Sequence, residues 1–90
     1  MPLQDCPLCK HESIPYIGAD YGRSKVFNCP KCKVFVLPQA TEHQLQSAPS
    51  DWLDALSKES SSVALGKLLF IAFNNEGNLT RTQQSEDKWL

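Results

Sequence analysis

The sequence predicts a small α+β domain. A β-rich, cysteine-bearing unit spans residues 1–38, and a short helix with a C-terminal β-hairpin spans residues 39–90 and packs on it. Three observations carry this. The pairs Cys6/Cys9 and Cys29/Cys32 flank stretches of strand character. Ser50–Leu56 follows a proline and places apolar residues at helical spacing. Lys67–Phe73 is apolar, runs into Asn-Asn-Glu-Gly, and is followed by alternating threonines.

In the first unit, Ile14–Ile17 and Lys25–Asn28 read as strands joined by the loop Gly18–Ser24. Val34–Leu37 reads as a third strand, apolar enough to pack against later segments. Pro38 and Pro49 bracket Gln39–Gln46, which has helical character. Ser50 then has the chemistry of a helix N-cap, with Asp51 and Asp54 in the first turn and Lys58 near the end, as the helix dipole favours. Trp52, Leu53 and Leu56 share one face of that helix. The polar run Ser57–Ser62 reads as a loop.

The last third has two readings. The turn signal Asn74–Gly77 and the partner strand Leu79–Gln83 favour a hairpin. The rival is a buried helix from Ser62 to Asn74 using Leu65, Leu68, Leu69 and Ala72. Periodicity alone does not separate a buried strand from a buried helix. A two-stranded sheet is marginal in water, so the hairpin must pack on the Trp52 helix or on the first unit. Trp52 and Trp89 read as core residues, with partner anchoring as the alternative for Trp89.

A chain of 90 residues lies near the size at which a hydrophobic core benefits from a staple. Met1–Asp5 has no basic region followed by an apolar one, as a secretory signal would. The longest apolar run, Val63–Phe73, is interrupted by Gly66 and Lys67 and is far shorter than the roughly 20 residues that span a bilayer. The expectation is a soluble, cytoplasmic protein with no membrane segment, in which thiols stay reduced and paired cysteines hold metal. The net charge of −1 conceals an excess of basic side chains over residues 1–33 and of acidic ones over residues 34–90. The basic excess is smaller than that of a typical DNA-binding domain.

The four cysteines stand as C-x2-C, nineteen residues, C-x2-C. Two intervening residues let each pair turn both sulfurs toward one ion, and four thiolates complete a tetrahedron. Pro7 and Pro30 pre-set φ for those turns. The metal set is therefore Cys6, Cys9, Cys29 and Cys32, and the expected cofactor is one Zn2+ ion. Iron takes the same donors and two disulfides would use the same residues, so both stay open here.

The knuckles Cys6-Pro7-Leu8-Cys9 and Cys29-Pro30-Lys31-Cys32, with their β-rich surroundings, resemble the four-cysteine zinc ribbons, which include rubredoxin-like knuckles. The resemblance covers about residues 4–37. It implies an N-terminal zinc ribbon, and a role in binding nucleic acid, in binding protein, or in stability alone. Knuckles of that family usually carry glycine after the second cysteine, where this chain has Lys10 and Lys33. Both lysines must then take a backbone conformation that glycine takes more easily. Phe27–Leu37 followed by Ala40, His43 and Leu45 also resembles N-terminal zinc-ribbon segments of uncharacterised bacterial proteins.

Four thiolates leave no coordination position for water or substrate, so the expected metal is structural and the protein is not expected to be an enzyme. His11 and His43 read as exposed residues, and the isolated glycines form no phosphate loop. Tyr21, Arg23, Lys25, Lys31 and Lys33 are the candidate nucleic-acid-binding residues, with rings stacking on bases and cations meeting phosphates. On that reading the chain is a nucleic-acid-associated accessory or regulatory protein. The bland alternative leaves the lysines as solvated charge and places Tyr16 and Phe27 in the core. Two further readings are a protein-interaction adaptor that uses the acidic C-terminal half, through Trp89 or the edge Leu79–Gln83, and a rubredoxin-like iron electron carrier.

Overall fold

A computed structural model describes residues 3–19 and 21–89. Among these residues six strands form one sheet in sequence order: β1 (Leu3–Gln4), β2 (Ile14–Ala19), β3 (Ser24–Cys29), β4 (Lys33–Pro38), β5 (Lys67–Phe73) and β6 (Leu79–Ser85). Two helices, α1 (Gln39–Leu45) and α2 (Ser50–Ser61), lie between β4 and β5. Neighbouring strands are antiparallel except β4 and β5, which pair in parallel through Phe35↔Leu69 and Val36↔Phe70. A parallel pair needs a crossover of a dozen or more residues, and the two helices supply it.

This arrangement corrects the expected architecture. A separate N-terminal ribbon and a C-terminal hairpin packed on it do not describe the chain, because β4–β5 pairing fuses both into one mixed sheet. The physical reason is the apolar content of the central strands. Phe35, Val36 and Leu37 in β4 and Leu68, Leu69 and Ile71 in β5 are all buried, so successive side chains are covered on both faces of the sheet.

One face carries Phe27, Phe35, Leu37, Leu69 and Ile71, and Leu45, Leu53 and Leu56 from the helices cover it. The Phe27 and Phe35 rings stack at 5.1 Å and the Tyr16 ring lies 5.7 Å from Phe27. The opposite face carries Val26, Val36 and Leu68. There the chain returns through a 3-10 turn, Glu86–Lys88, and the Trp89 ring stacks on Phe70 at 5.4 Å, its Nε1–H donating to Gln84 Oε1 at 2.8 Å.

Strand character prevails over the helical reading of residues 62–74. Asn74 nucleates the β5–β6 turn: its Oδ1 accepts from the N–H groups of Glu76 and Asn78, both at 2.9 Å, and Gly77 takes φ +82°. Three local expectations also change. Helix α2 begins at Ser50 with Pro49 as its cap residue and no side-chain cap. It continues through the serine run to Ser61, because Ser57 and Ser60 find buried partners. Trp52 is 50% exposed, since Leu53 and Leu56 take the inward positions.

Candidate metal centre

The first knuckle is built from short-range hydrogen bonds of its own backbone N–H groups. The Lys10 N–H donates to the Cys6 carbonyl at 3.0 Å, the Cys9 N–H to Cys6 Sγ at 3.5 Å, and the Cys6 N–H to the His11 carbonyl at 2.8 Å. Lys10 and Lys33, each following the second cysteine of a pair, take φ of 66° and 65°. This is the left-handed conformation the knuckle demands, held here by lysine rather than glycine. Cys29 ends β3 and pairs in register with Lys33 at the start of β4, so the second knuckle is the tip of a β-hairpin.

The four sulfurs converge, all within 4.8 Å of one another. Cys6 and Cys32 lie 3.8 Å apart and Cys9 and Cys29 3.4 Å apart. A tetrahedron with bonds of about 2.3 Å separates its sulfurs by about 3.8 Å, so the donors fit one tetrahedral ion. All four are free thiols, spaced well beyond the roughly 2 Å of a disulfide. Cys6, Cys29 and Cys32 are buried and belong to the main core with Leu8 and Ile14, while Cys9 is half-buried.

The thiols polarise one another. A hydrogen bond from the Cys32 thiol lowers the Cys6 thiol to about 5 against the effect of burial, and backbone N–H groups of Cys9 and Leu8 assist. The same bond, with burial, pushes Cys32 up, opposed by Ser57. Burial is the main cause that raises Cys9. The cluster thus resists carrying several negative charges on its own, and a cation at its centre removes that conflict.

Two residues at this site were not anticipated from sequence. Ser57 Oγ lies 2.9 Å from Cys32 Sγ, and Ser60 Oγ–H donates to the Cys32 carbonyl, both contacts buried. Their signal was available: Leu53, Leu56, Ser57 and Ser60 occupy i, i+3, i+4 and i+7 on one helical face. Sequence reasoning treats serine as a loop former, which hid the continuation of that face.

The candidate nucleic-acid residues are divided. Tyr21 and Arg23 are exposed at the β2–β3 turn, while Lys31 and Lys33 are exposed beside the knuckles at the other end of β3. Six residues of strand separate the two groups, about 20 Å at 3.3 Å per residue. Lys25 points elsewhere. Its Nζ lies 3.2 Å from Glu42 and 2.9 Å from Gln4 Oε1, and 4.9 Å from the Tyr16 ring centroid. His11 and His43 are exposed. Strand β6, suggested as a protein-binding edge, is the outermost strand beside β5.

Comparison with protein-family models, with curated proteins and with solved structures finds no match. No helix among the described residues is long and apolar enough to cross a membrane.

Proposed function

We propose that this chain is a metal-stapled structural module in which Cys6, Cys9, Cys29 and Cys32 hold one zinc ion. The observation that carries the proposal is the convergence of four thiols within 4.8 Å, from segments some twenty residues apart in sequence. Four thiolates saturate a tetrahedral ion, so the ion supports folding rather than turnover. The contribution is large on the scale of a small domain, with structural zinc worth about 10–16 kcal/mol in zinc-finger peptides. The test is metal analysis of protein purified without added metal, with circular dichroism before and after a strong chelator. One zinc per chain, with a partial loss of structure and a lower melting temperature on chelation, supports the proposal. A metal-free protein with an unchanged spectrum overturns it, and a red, iron-loaded sample replaces zinc with iron.

A second reading adds nucleic-acid association at the metal pole. Lys10, Lys31 and Lys33 are all exposed around the knuckles, where Lys31 and Lys33 form a basic rim without Arg23 or Tyr21. Two or three phosphate contacts give a log–log salt slope of about −2 to −3. Binding of an oligonucleotide at low salt that disappears in Lys31→Glu/Lys33→Glu supports this reading, and no binding at low salt removes it.

A further inference from the structure

The structure assigns helix α2 to the metal centre: we propose that Ser57 is a positioning residue for the Cys32 ligand, so that metal occupancy and docking of α2 are linked. This deepens the metal-staple reading and rests on it.

Ser57 Oγ lies 2.9 Å from Cys32 Sγ across 25 positions of sequence, and the contact is buried. A metal-bound thiolate has no proton, so in the occupied centre the hydroxyl must be the donor. A helical serine commonly turns its hydroxyl back to the carbonyl four residues earlier. Ser57 instead faces the sulfur. Ser60, one turn further along α2, donates to the backbone carbonyl of the same cysteine. One helix therefore fixes both the side chain and the main chain of a single ligand. Both serines are almost fully buried, at 4% and 0% exposure, on a face otherwise apolar through Leu53 and Leu56. A buried hydroxyl without a partner is costly, and among the described residues no buried side-chain polar atom lacks one.

Hydrogen-bond donors around a metal site orient the ligand and offset its charge. Coupling is reciprocal: if the docked helix tightens the metal, the metal tightens the helix by the same factor. The ion would then clasp the helical layer as well as the two knuckles.

The test uses the full chain with zinc and cobalt(II) as probes. Zinc affinity is measured by competition with a chromophoric chelator for wild type, Ser57→Ala, Ser57→Thr and Ser57→Val. Threonine and valine match in shape and differ in the hydroxyl. Ser57→Ala and Ser57→Val are expected to bind zinc about 10- to 100-fold more weakly, the usual cost of losing such a partner. Ser57→Thr is expected to stay closer to wild type than Ser57→Val. The sulfur-to-cobalt charge-transfer band should move to lower energy when the donor is lost. Alanine is the better helix former, so a weaker α2 does not explain these changes. Amide exchange across α2 in wild type should slow on zinc addition. Wild-type affinity and cobalt spectrum in both Ser57→Ala and Ser57→Val, with the parent protein binding zinc, overturn the role of Ser57 and leave the metal site intact. Zinc-independent exchange in α2 overturns the linkage. A parent protein that binds neither ion overturns the metal-staple reading itself.

Discussion

Lys25 and Glu42 form a partly buried ion pair across 17 residues of sequence, with Nζ and the carboxylate 3.2 Å apart. Gln4 bridges both partners: its Nε2 donates to Glu42 at 2.9 Å and its Oε1 accepts from Lys25 at 2.9 Å. Strands β1 and β3 and helix α1 are thereby tied at one point. Glu42→Ala leaves the Lys25 ammonium with one neutral acceptor, and the expected cost is about 1–3 kcal/mol. The Arg81–Glu59 pair at 2.6 Å is shorter but has both side chains more than 40% exposed, so Arg81→Ala should cost at most about 1 kcal/mol. Urea unfolding of both variants ranks them, and a larger loss in Arg81→Ala contradicts this account.

The left-handed lysines make an opposite prediction, a gain. At φ near 65° an L-residue other than glycine is disfavoured by roughly 1–2 kcal/mol, part of which glycine returns as unfolded-state entropy. Lys33→Gly should therefore stabilise the protein by up to about 1 kcal/mol, which is about 4–8 °C in melting temperature for a domain of this size. Lys10→Gly should act in the same direction. A fall in melting temperature for both would show that the lysine side chains contribute contacts that outweigh the backbone strain.

How far the sequence foretold these features depends on the range of the forces involved. The two Cys-x2-Cys knuckles were legible because two residues of spacing and a proline fix the local turn. Strands β2 to β6 were legible because apolar alternation and the Asn-Asn-Glu-Gly turn are local signals. The parallel β4–β5 pairing was not, because nothing in Val34–Leu37 or Lys67–Phe73 alone states which strand lies beside which. The helical run to Ser61 was hidden for a related reason: a serine-rich segment stays helical only when tertiary partners such as Cys32 satisfy its hydroxyls. Likewise, the basic residues looked contiguous in sequence until β3 carried Arg23 and Lys31 to opposite ends.

Acid should release the zinc proposed for the cysteine cluster. Every ligand must be a thiolate, and in the metal-free state burial and the Cys6 hydrogen bond hold Cys9 and Cys32 above the ordinary thiol value of 9.0. Binding near neutral pH therefore displaces at least those two protons, and affinity should fall by at least about 100-fold for each pH unit of acidification. In the metal-free protein, Cys6 is lowered from 9.0 to about 5, so the unfolded chain binds the extra proton between those values. That contribution to stability is fully present above pH 9 and is lost as pH falls toward 5. Cys9 and Cys32 have the opposite sign, and what they contribute fades as pH rises above 9. Zinc titrations between pH 6 and 8 measure the affinity slope, and a flat profile would falsify thiolate ligation.

Phe27 links the aromatic core to the cysteine-cluster end of the sheet. It is fully buried, stacks on Phe35 at 5.1 Å, and stands two residues before Cys29 on the same face of β3. Phe27→Ala should cost about 3–5 kcal/mol, since both the transfer term and the cavity fall in the middle of the sheet. A metal-free chain of this size belongs at the low end of the typical total of about 5–15 kcal/mol, and there that loss leaves little stability. Zinc at 100 times its dissociation constant returns about 2.7 kcal/mol, and more at higher excess. Phe27→Ala is therefore expected to be largely unfolded in chelator and to refold cooperatively as zinc is added, with circular dichroism and amide protection in β3 and β4 rising together. A variant that melts in chelator at the wild-type temperature would separate the aromatic core from the cysteine cluster and break the energetic connection drawn through β3.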